Sequence, residues 1–167
     1  MMIRPLVLTI LITASMANLT AMQLPRIPSG EELQIRPTPV IDAVQKGNET
    51  ELKNLLLKNF NVNEEDSDKY TPLMRAVQRY VSAKNDAAKQ NYLNIITLLL
   101  EKKANINAQN RDGFTAIMIA ARANNKELVM LLLKYNPDLN LKNNKDQIAQ
   151  ELTTNVDLQR ALRPKLI

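Results

Sequence analysis

Two groups of side chains in this sequence could do chemistry, a run of carboxylates and a few hydroxyls. Glu64, Glu65 and Asp66 stand together, and neighbouring carboxylates can bind calcium or exchange protons with a substrate. The run lacks the glycine-bearing spacing of a calcium loop, so we interpret it as a solvated loop. The serines are Ser15, Ser29, Ser67 and Ser82. None occupies the G-x-S-x-G turn that exposes a nucleophile.

The sequence contains no His and no Cys, and these absences exclude most catalytic and metal sites. Imidazole bases, thiol nucleophiles, disulfides and ordinary zinc sites all need one of these residues. The composition, 45% hydrophobic and 23% charged over 167 residues, is that of a globular chain. We therefore predict a protein that is not an enzyme and has no catalytic residues, metal or cofactor.

One ten-residue phrase occurs three times along the chain. TPVIDAVQKG begins at Thr38, TPLMRAVQRY at Thr71 and TAIMIAARAN at Thr115. The first two starts are 33 residues apart and the last two are 44 apart. Such repetition indicates stacked units, each too small to bury its own apolar face.

Each unit has the pattern of two short helices followed by a loop. Thr can cap a helix through its hydroxyl, and Pro after it needs no amide donor, so Thr38–Pro39 and Thr71–Pro72 predict helix starts. A small residue recurs on the apolar face of each first helix and allows close packing. These residues are Ala43, Ala76 and Ala120. Gly47 and Asn124 tolerate a left-handed conformation and predict the end of that helix.

These phrases resemble the ankyrin repeat, a unit of 33 residues that begins T-P-L-H-x-A. The chain has TPVIDA, TPLMRA and TAIMIA, with closing phrases of the N-x-N type in NFNVN, KANIN and NPDLN. The resemblance implies an all-α ankyrin-repeat solenoid of three full repeats plus a truncated C-terminal cap. Within the domain 38–167, the repeats are 38–70, 71–114 and 115–147, and the cap is 148–167.

The family pattern is departed from at two positions, in every unit at the first and in two units at the second. The family's His is replaced by an apolar residue, which predicts apolar packing in place of polar bridging between loops. The replacements are Ile41, Met74 and Met118. The glycine of the loop tip is kept as Gly113, whereas Lys69 and Asp146 occupy the other tips.

Eleven additional residues lengthen the middle repeat between Gln78 and Asn91, in the segment RYVSAKNDAAKQ. Eleven residues make about three helical turns, so an insertion of this length keeps the helix faces in phase. We expect both helices of this repeat to be longer, with a turn near Lys84 to Asp86. The insertion 79–90 is read as a solvated extension, with a partner contact as the alternative.

Polar residues at both ends of the array predict terminal caps. Ile95 and Leu98 of the middle repeat correspond to Glu51 and Asn54 of the first, where no earlier repeat covers the helix face. The last segment is similarly polar, and Asn155 can cap a final helix.

Residues 1–17 have the pattern of a cleavable signal peptide. A charged start is followed by the apolar run Pro5–Ala14 and by small residues, which predicts cleavage between Ala17 and Asn18. The run is about half of the roughly 20 residues that span a bilayer, so no stable membrane anchor is expected. An uncleaved anchor and a buried helix are the alternatives.

The segment 18–37 contains three Pro and no regular apolar pattern, which predicts a disordered linker. An arm packed against the first repeat is the alternative.

The net charge is +5, and removal of residues 1–17 with their one Arg leaves +4. That mild charge argues against a nucleic-acid partner. We expect an exported monomer, periplasmic or extracellular.

The resemblance also implies where a partner binds, because ankyrin-like solenoids usually dock partners on the concave face of first helices and loop tips. The matching first-helix residues are Asp42, Gln45, Arg75, Gln78, Arg79, Ile119 and Arg122. The matching tip residues are Asp68, Lys69, Arg111, Asp112 and Lys145. The three arginines of the first helices give this face a positive bias, and Arg suits paired contacts with carboxylates.

We therefore predict an exported, non-catalytic module that binds another protein through the concave groove and loop tips. The alternative is a periplasmic accessory subunit that stabilises or inhibits a resident enzyme. A hydrolase would need a deep pocket with perturbed carboxylates, and a nucleic-acid-binding protein would need a concentrated basic stripe; the sequence favours neither.

Overall fold

The computed structural model describes residues 38–164 of the chain. The predicted signal peptide 1–17, its cleavage point at Ala17 and Asn18, and the predicted linker 18–37 lie outside the described residues. The described chain forms seven α-helices and one 3-10 helix, with no β-strand between residues 38 and 164. The α-helices are α1 (Pro39–Gln45), α2 (Glu49–Leu57), α3 (Pro72–Ser82), α4 (Asp86–Glu101), α5 (Ala116–Arg122), α6 (Lys126–Leu133) and α7 (Val156–Ala161).

The helices stack as consecutive pairs, which confirms the predicted all-α solenoid. Within each pair, α1 packs on α2, α3 on α4 and α5 on α6. Between pairs, α1 packs on α3, α3 on α5, and α5 on the 3-10 helix Ala149–Leu152. The first helices therefore form one continuous row, and the short 3-10 helix takes the place of a fourth first helix in the cap.

The threonine cap predicted at Thr71 is confirmed, and Thr115 caps its helix in the same way. The Thr71 hydroxyl accepts from the N–H of Met74, and the Thr115 hydroxyl accepts from the N–H of Met118, each at 3.4 Å. Helix α1 begins at Pro39 as predicted, but Thr38 makes no side-chain cap. The cap expected at Thr38 was wrong, because the Thr38 backbone does not adopt the extended conformation of Thr71 and Thr115.

The interior is built from aliphatic side chains and small residues. The three recurring alanines, Ala43, Ala76 and Ala120, are fully buried and allow neighbouring first helices to approach. The residues at the family's His position are also buried. They are Ile41, Met74 and Met118, each 1% exposed, so apolar packing does replace the polar bridge.

Both ends of the array are polar, as predicted. Ile95 and Leu128 are fully buried in the second and third repeats, whereas the corresponding Glu51 of the first is half-buried. At the other end the Asn155 side chain caps α7 by accepting from the N–H groups of Asp157 and Leu158. The cap is tied to the third repeat by a hydrogen bond of 2.6 Å from the Thr153 hydroxyl to Asn124 Oδ1.

The additional residues of the middle repeat lengthen both of its helices, as expected. Helix α3 has 11 residues where α5 has 7, and α4 has 16 where α6 has 8. The turn between them lies at residues 83–85, about one residue earlier than expected, because Asn85 caps α4 by accepting from the N–H of Ala88. The lengthened α4 also covers the end of α1, where Asn91 Nδ2 donates to the Gly47 carbonyl at 2.8 Å.

Candidate protein-binding groove

The loop tips are held by one recurring side chain that the sequence analysis missed. Asp66 Oδ1 accepts from the N–H groups of Asp68 and Tyr70 at 2.9 and 3.0 Å. Asn110 makes the same pair of bonds in the second tip and Asn143 in the third. These three residues recur at the same 44- and 33-residue intervals as Thr71, Thr115 and the start of the cap, and that recurrence was the available signal.

The conformation at the tips is regular although only one of them has glycine. Lys69, Gly113 and Asp146 all adopt left-handed backbone, with φ of 59°, 78° and 59°. At Gly113 a side chain would also meet the neighbouring tip, because a Cβ would lie 2.9 Å from the backbone N of Asn144. The glycine of the family pattern is therefore present at Gly113, where the next tip packs closely against the backbone.

Consecutive tips are hydrogen-bonded to one another. The N–H of Arg111 donates to the Asp68 carbonyl at 2.9 Å, and the N–H of Asn144 donates to the Asp112 carbonyl at 3.0 Å. The Arg111 side chain donates to the Ser67 carbonyl at 2.6 Å and lies 3.3 Å from the Asp68 carboxylate. Two predicted partner-binding residues, Asp68 and Arg111, therefore contact each other.

The N-x-N phrases form a second ladder between repeats. Asn63 Oδ1 accepts from the N–H of Asn105 at 2.7 Å, and Asn107 Oδ1 accepts from the N–H of Asp138 at 2.8 Å. The final Asn of each of the first two phrases therefore accepts from the N–H of the middle residue of the next phrase. This explains why an asparagine recurs at that place in the sequence.

The first-helix row contains two adjoining hollows, which we call the first and second furrows. The first furrow, of about 280 Å³, is lined by Gln45, Arg75, Gln78, Arg79 and Ser82. The second furrow, of about 230 Å³, is lined by Gln78, Val81, Ser82, Ile119, Arg122 and Ala123. Gln78 and Ser82 border both furrows, so α3 forms a ridge between them.

Arg75 stands in the first furrow, but its guanidinium is engaged within the protein. Its Nε donates to Asp66 Oδ2 at 2.8 Å, and Nη2 donates to the same oxygen. The guanidinium carbon also lies 3.9 Å from the centre of the Tyr70 ring, a cation–π arrangement. Arg75 therefore holds the first tip in place. These contacts favour a structural role for Arg75 over the predicted role in partner binding.

Arg79 and Arg122 differ from Arg75 because both are exposed and, within residues 38–164, neither makes an ion pair. Arg122 lies over the Phe114 ring at 4.5 Å, which orients the guanidinium and leaves its N–H edge open. The two arginines stand in different furrows, one on each side of the ridge.

The remaining predicted groove residues divide by exposure. Asp42 is exposed on α1, Gln45 is half-buried in the first furrow and Gln78 is exposed on the ridge. Ile119 is only 6% exposed, so the expectation that it points outward was wrong. It lines the second furrow together with Val81 and Ser82 of α3.

Two of the three carboxylates of 64–66, Glu64 and Asp66, make structural contacts, so the predicted solvated loop describes only the exposed Glu65. Glu64 Oε1 accepts from the N–H of Ile41 at 2.7 Å and so caps α1 in place of Thr38. Burial raises the pKa of the Glu64 carboxyl, against the opposing effect of hydrogen bonds from the N–H groups of Ile41 and Val40. Asp66 holds both the tip and Arg75. No group of three His, Cys, Asp or Glu residues in the described chain is placed to hold a metal.

Among residues 38–164, the one large pKa shift belongs to a structural contact. Burial and the nearby Glu127 carboxylate raise the pKa of Tyr80 to about 12. The Tyr80 hydroxyl donates to Glu127, which joins α3 of the middle repeat to α6 of the next. The Tyr80 phenol therefore stays protonated to a higher pH than an ordinary tyrosine.

Comparison with known proteins agrees with this architecture. The family model for ankyrin repeats (three copies) matches residues 84–154. A human protein named Notch-regulated ankyrin repeat-containing protein is 32% identical over 96 residues, which cover 55% of this chain and 75% of that protein. The chain belongs to the ankyrin-repeat family.

Two further relatives match smaller shares of their own length. A putative ankyrin repeat protein of Rickettsia felis is 27% identical over 122 residues, covering 65% of this chain and 45% of that protein. A rice protein named as a probable E3 ubiquitin-protein ligase is 47% identical over 49 residues, covering 29% of this chain and 9% of that protein. The chain thus spans less than half the length of either.

Ankyrin repeats are generally protein–protein interaction modules, and the family is generally non-catalytic. Membership therefore supports a protein partner for this chain. None of the helices in residues 38–164 is both long and apolar enough to cross a bilayer.

Proposed function

We propose that this ankyrin-repeat chain is an exported, non-catalytic module that binds a partner protein along the groove formed by α1, α3 and α5. The observation that carries the proposal is the pair of furrows in which Arg79 and Arg122 make no ion pair within the described chain.

The loop tips would flank the bound partner. Lys69, Asp112 and Lys145 are exposed, and none of the three makes a side-chain ion pair within the described residues. Their backbones are fixed by the ladder of bonds between tips, so a partner meets them in a preset arrangement. Preorganisation of this kind lowers the entropic cost of binding.

Steric block of the groove tests the binding site without changing charge. Ser82 is exposed and borders both furrows, so Ser82→Trp fills them. The matched control is Gln90→Trp, at an exposed position of the convex hollow between α4 and α6. Capture from envelope and host extracts would be compared for the wild type and both variants, with circular dichroism as a check on folding.

We expect Ser82→Trp to lose the protein that the wild type captures and Gln90→Trp to keep it. Loss with Gln90→Trp alone would move the site to the convex face. Retention by both variants would show that the groove is not the binding site.

Export is proposed from the signal-like pattern of residues 1–17. Expression of the full chain in a bacterial host, followed by fractionation and N-terminal sequencing, tests it. We expect the exported form to begin at Asn18. A chain that keeps Met1 and stays in the cytoplasmic fraction would contradict export and leave the groove proposal unaffected.

A further inference from the structure

We propose that the groove recognises an acidic segment of its partner that places one carboxylate in each furrow. This inference rests on the proposed function and names the chemistry of the partner. The first and second furrows lie on opposite sides of the α3 ridge, and each contains one exposed arginine, Arg79 in the first and Arg122 in the second.

The charge balance of the first-helix row favours an acidic ligand. Helices α3 and α5 contain three arginines and no acidic residue. Arg75 is neutralised by Asp66 at the tip, which leaves Arg79 and Arg122 as the cations available to a ligand. The acid of α1, Asp42, is exposed but does not line either furrow.

The orientation of the available donors favours carboxylates. Arg122 stacks over Phe114, and a stacked guanidinium still presents a planar pair of N–H donors that matches a carboxylate. On the ridge, Gln78 Oε1 accepts from Arg75 Nη1 at 2.9 Å, so the amide NH₂ of Gln78 is turned away from that bond and can donate to a backbone carbonyl. Ser82 offers a hydroxyl beside it.

The distance between furrows sets the spacing of the two carboxylates. Neighbouring packed helices lie about 8–10 Å apart, so a segment that crosses α3 must place its acids at about that separation. A polyproline II chain rises about 3.1 Å per residue with three residues per turn, so positions i and i+3 share a face about 9 Å apart. The expected motif is therefore acid-x-x-acid in an extended segment that crosses the helices.

Short peptides can test the spacing and the charge separately. The probe is fluorescein-labelled GPEPPEPG, with anisotropy measured on the full chain at low salt. GPQPPQPG removes both charges, GPEPPQPG removes one, and GPEEPPPG keeps both charges but makes them adjacent. We expect GPEPPEPG to bind about tenfold more tightly than GPEPPQPG or GPEEPPPG, and GPQPPQPG to bind least.

Arginine variants locate the contacts on the protein. Arg79→Gln and Arg122→Gln should each weaken binding of GPEPPEPG about tenfold. Arg160→Gln is the matched control, since it removes the same charge from an exposed position on α7 and should leave binding unchanged. Equal loss in all three variants would show general electrostatic attraction and would overturn the proposal.

Other outcomes would also overturn it. Equal affinity for GPEPPEPG and GPEEPPPG would contradict the furrow spacing, and equal affinity for GPEPPEPG and GPQPPQPG, or no binding of either, would contradict the charge. Tighter binding of a mixed-sequence single-stranded DNA through Arg79 and Arg122 would indicate a polyanion in place of an acidic protein. If Ser82→Trp loses the captured partner while both arginine variants retain it, the groove proposal stands and the acidic motif fails.

Discussion

The loop tips and the first-helix groove are both rich in polar residues, yet they use them in opposite ways. At the tips, Asp66, Asn110 and Asn143 accept from the backbone of their own loops, and successive tips are bonded to each other. In the groove, Arg79 and Arg122 are exposed and make no ion pair within residues 38–164. The tips are a structural element, and the groove keeps cations for a ligand.

The comparison shows that exposure alone does not identify a binding residue. The Arg111 side chain is 68% exposed, but it bonds to Ser67 and Asp68 of the preceding tip. Arg79 is also exposed, but it makes no ion pair within residues 38–164. The useful criterion is whether the fold already employs the charged group, and only the structure supplies that information.

The largest expected effect tests the closure of the tips. Gly113→Ala places a Cβ 2.9 Å from backbone atoms of the next tip and holds an L-residue in left-handed backbone. We expect a loss of about 3 kcal/mol in the free energy of unfolding, from backbone strain and from overpacking together. Urea denaturation followed by circular dichroism measures it.

Gly47→Ala is the matched control for that substitution. Gly47 is also left-handed, with φ of 66°, but its Cβ would approach side-chain atoms of Asn91 and Tyr92, which can move. We expect a loss of about 1 kcal/mol in the free energy of unfolding, from backbone strain. Equal losses in the two variants would show that the tips are not packed as closely as the ladder of bonds requires.

The next largest effect compares two arginines of one helix. Arg75→Gln removes the paired hydrogen bonds to Asp66 and the stack on Tyr70, and should cost about 2 kcal/mol. Arg79→Gln removes a charge that no described residue pairs with, and should change stability by less than about 0.5 kcal/mol. Both are measured by chemical denaturation.

For partner capture we expect the two variants to rank in the opposite order from their ranking in stability. Arg79→Gln should weaken capture although its stability is unchanged. A large stability loss for Arg79→Gln, or none for Arg75→Gln, would reverse the assignment of structural and ligand-facing roles.

The sequence contained enough to predict the repeat, because periodic positions carry the same physical task in every unit. Thr71 and Thr115 cap, and Ala43, Ala76 and Ala120 allow close packing, so their recurrence predicted helices and their faces. The insertion was also predictable, since its length keeps helical phase and its turn follows at Asn85.

What the sequence could not provide is the set of hydrogen bonds and packing contacts between distant positions. Nothing in the order of residues joins Glu64 to the start of α1, 23 positions earlier, or identifies it as the replacement for the Thr38 cap. The burial of Ile119 is a similar case, because its place in the core cluster depends on packing between helices that the order of residues does not specify. The candidate groove residues came from the resemblance to the ankyrin repeat, whereas their availability to a partner depends on contacts between repeats.

The smallest expected effect is a pH dependence that tests whether Glu64 is structural. Burial raises the pKa of Glu64 in the folded chain, so the fold binds this proton more tightly than the unfolded chain does. Its contribution to stability is therefore complete below the unfolded pKa and is lost as pH rises through the folded pKa. Glu64→Gln keeps an oxygen that can accept from Ile41 but does not titrate, so the stability of wild type relative to this variant should fall as pH rises from about 4.5, the usual carboxyl value.

Glu49→Gln provides a control of opposite sign. The hydrogen bond from Lys53 lowers the pKa of Glu49, so its contribution is present above the unfolded pKa and is lost as pH falls through the folded one. Urea denaturation between pH 4 and 7 should therefore give slopes of opposite sign for the two variants, each amounting to less than about 1 kcal/mol because solvent screens both carboxylates. A flat difference for Glu64→Gln would mean that this carboxylate is solvated, and that the loop before the first tip is as open as the groove.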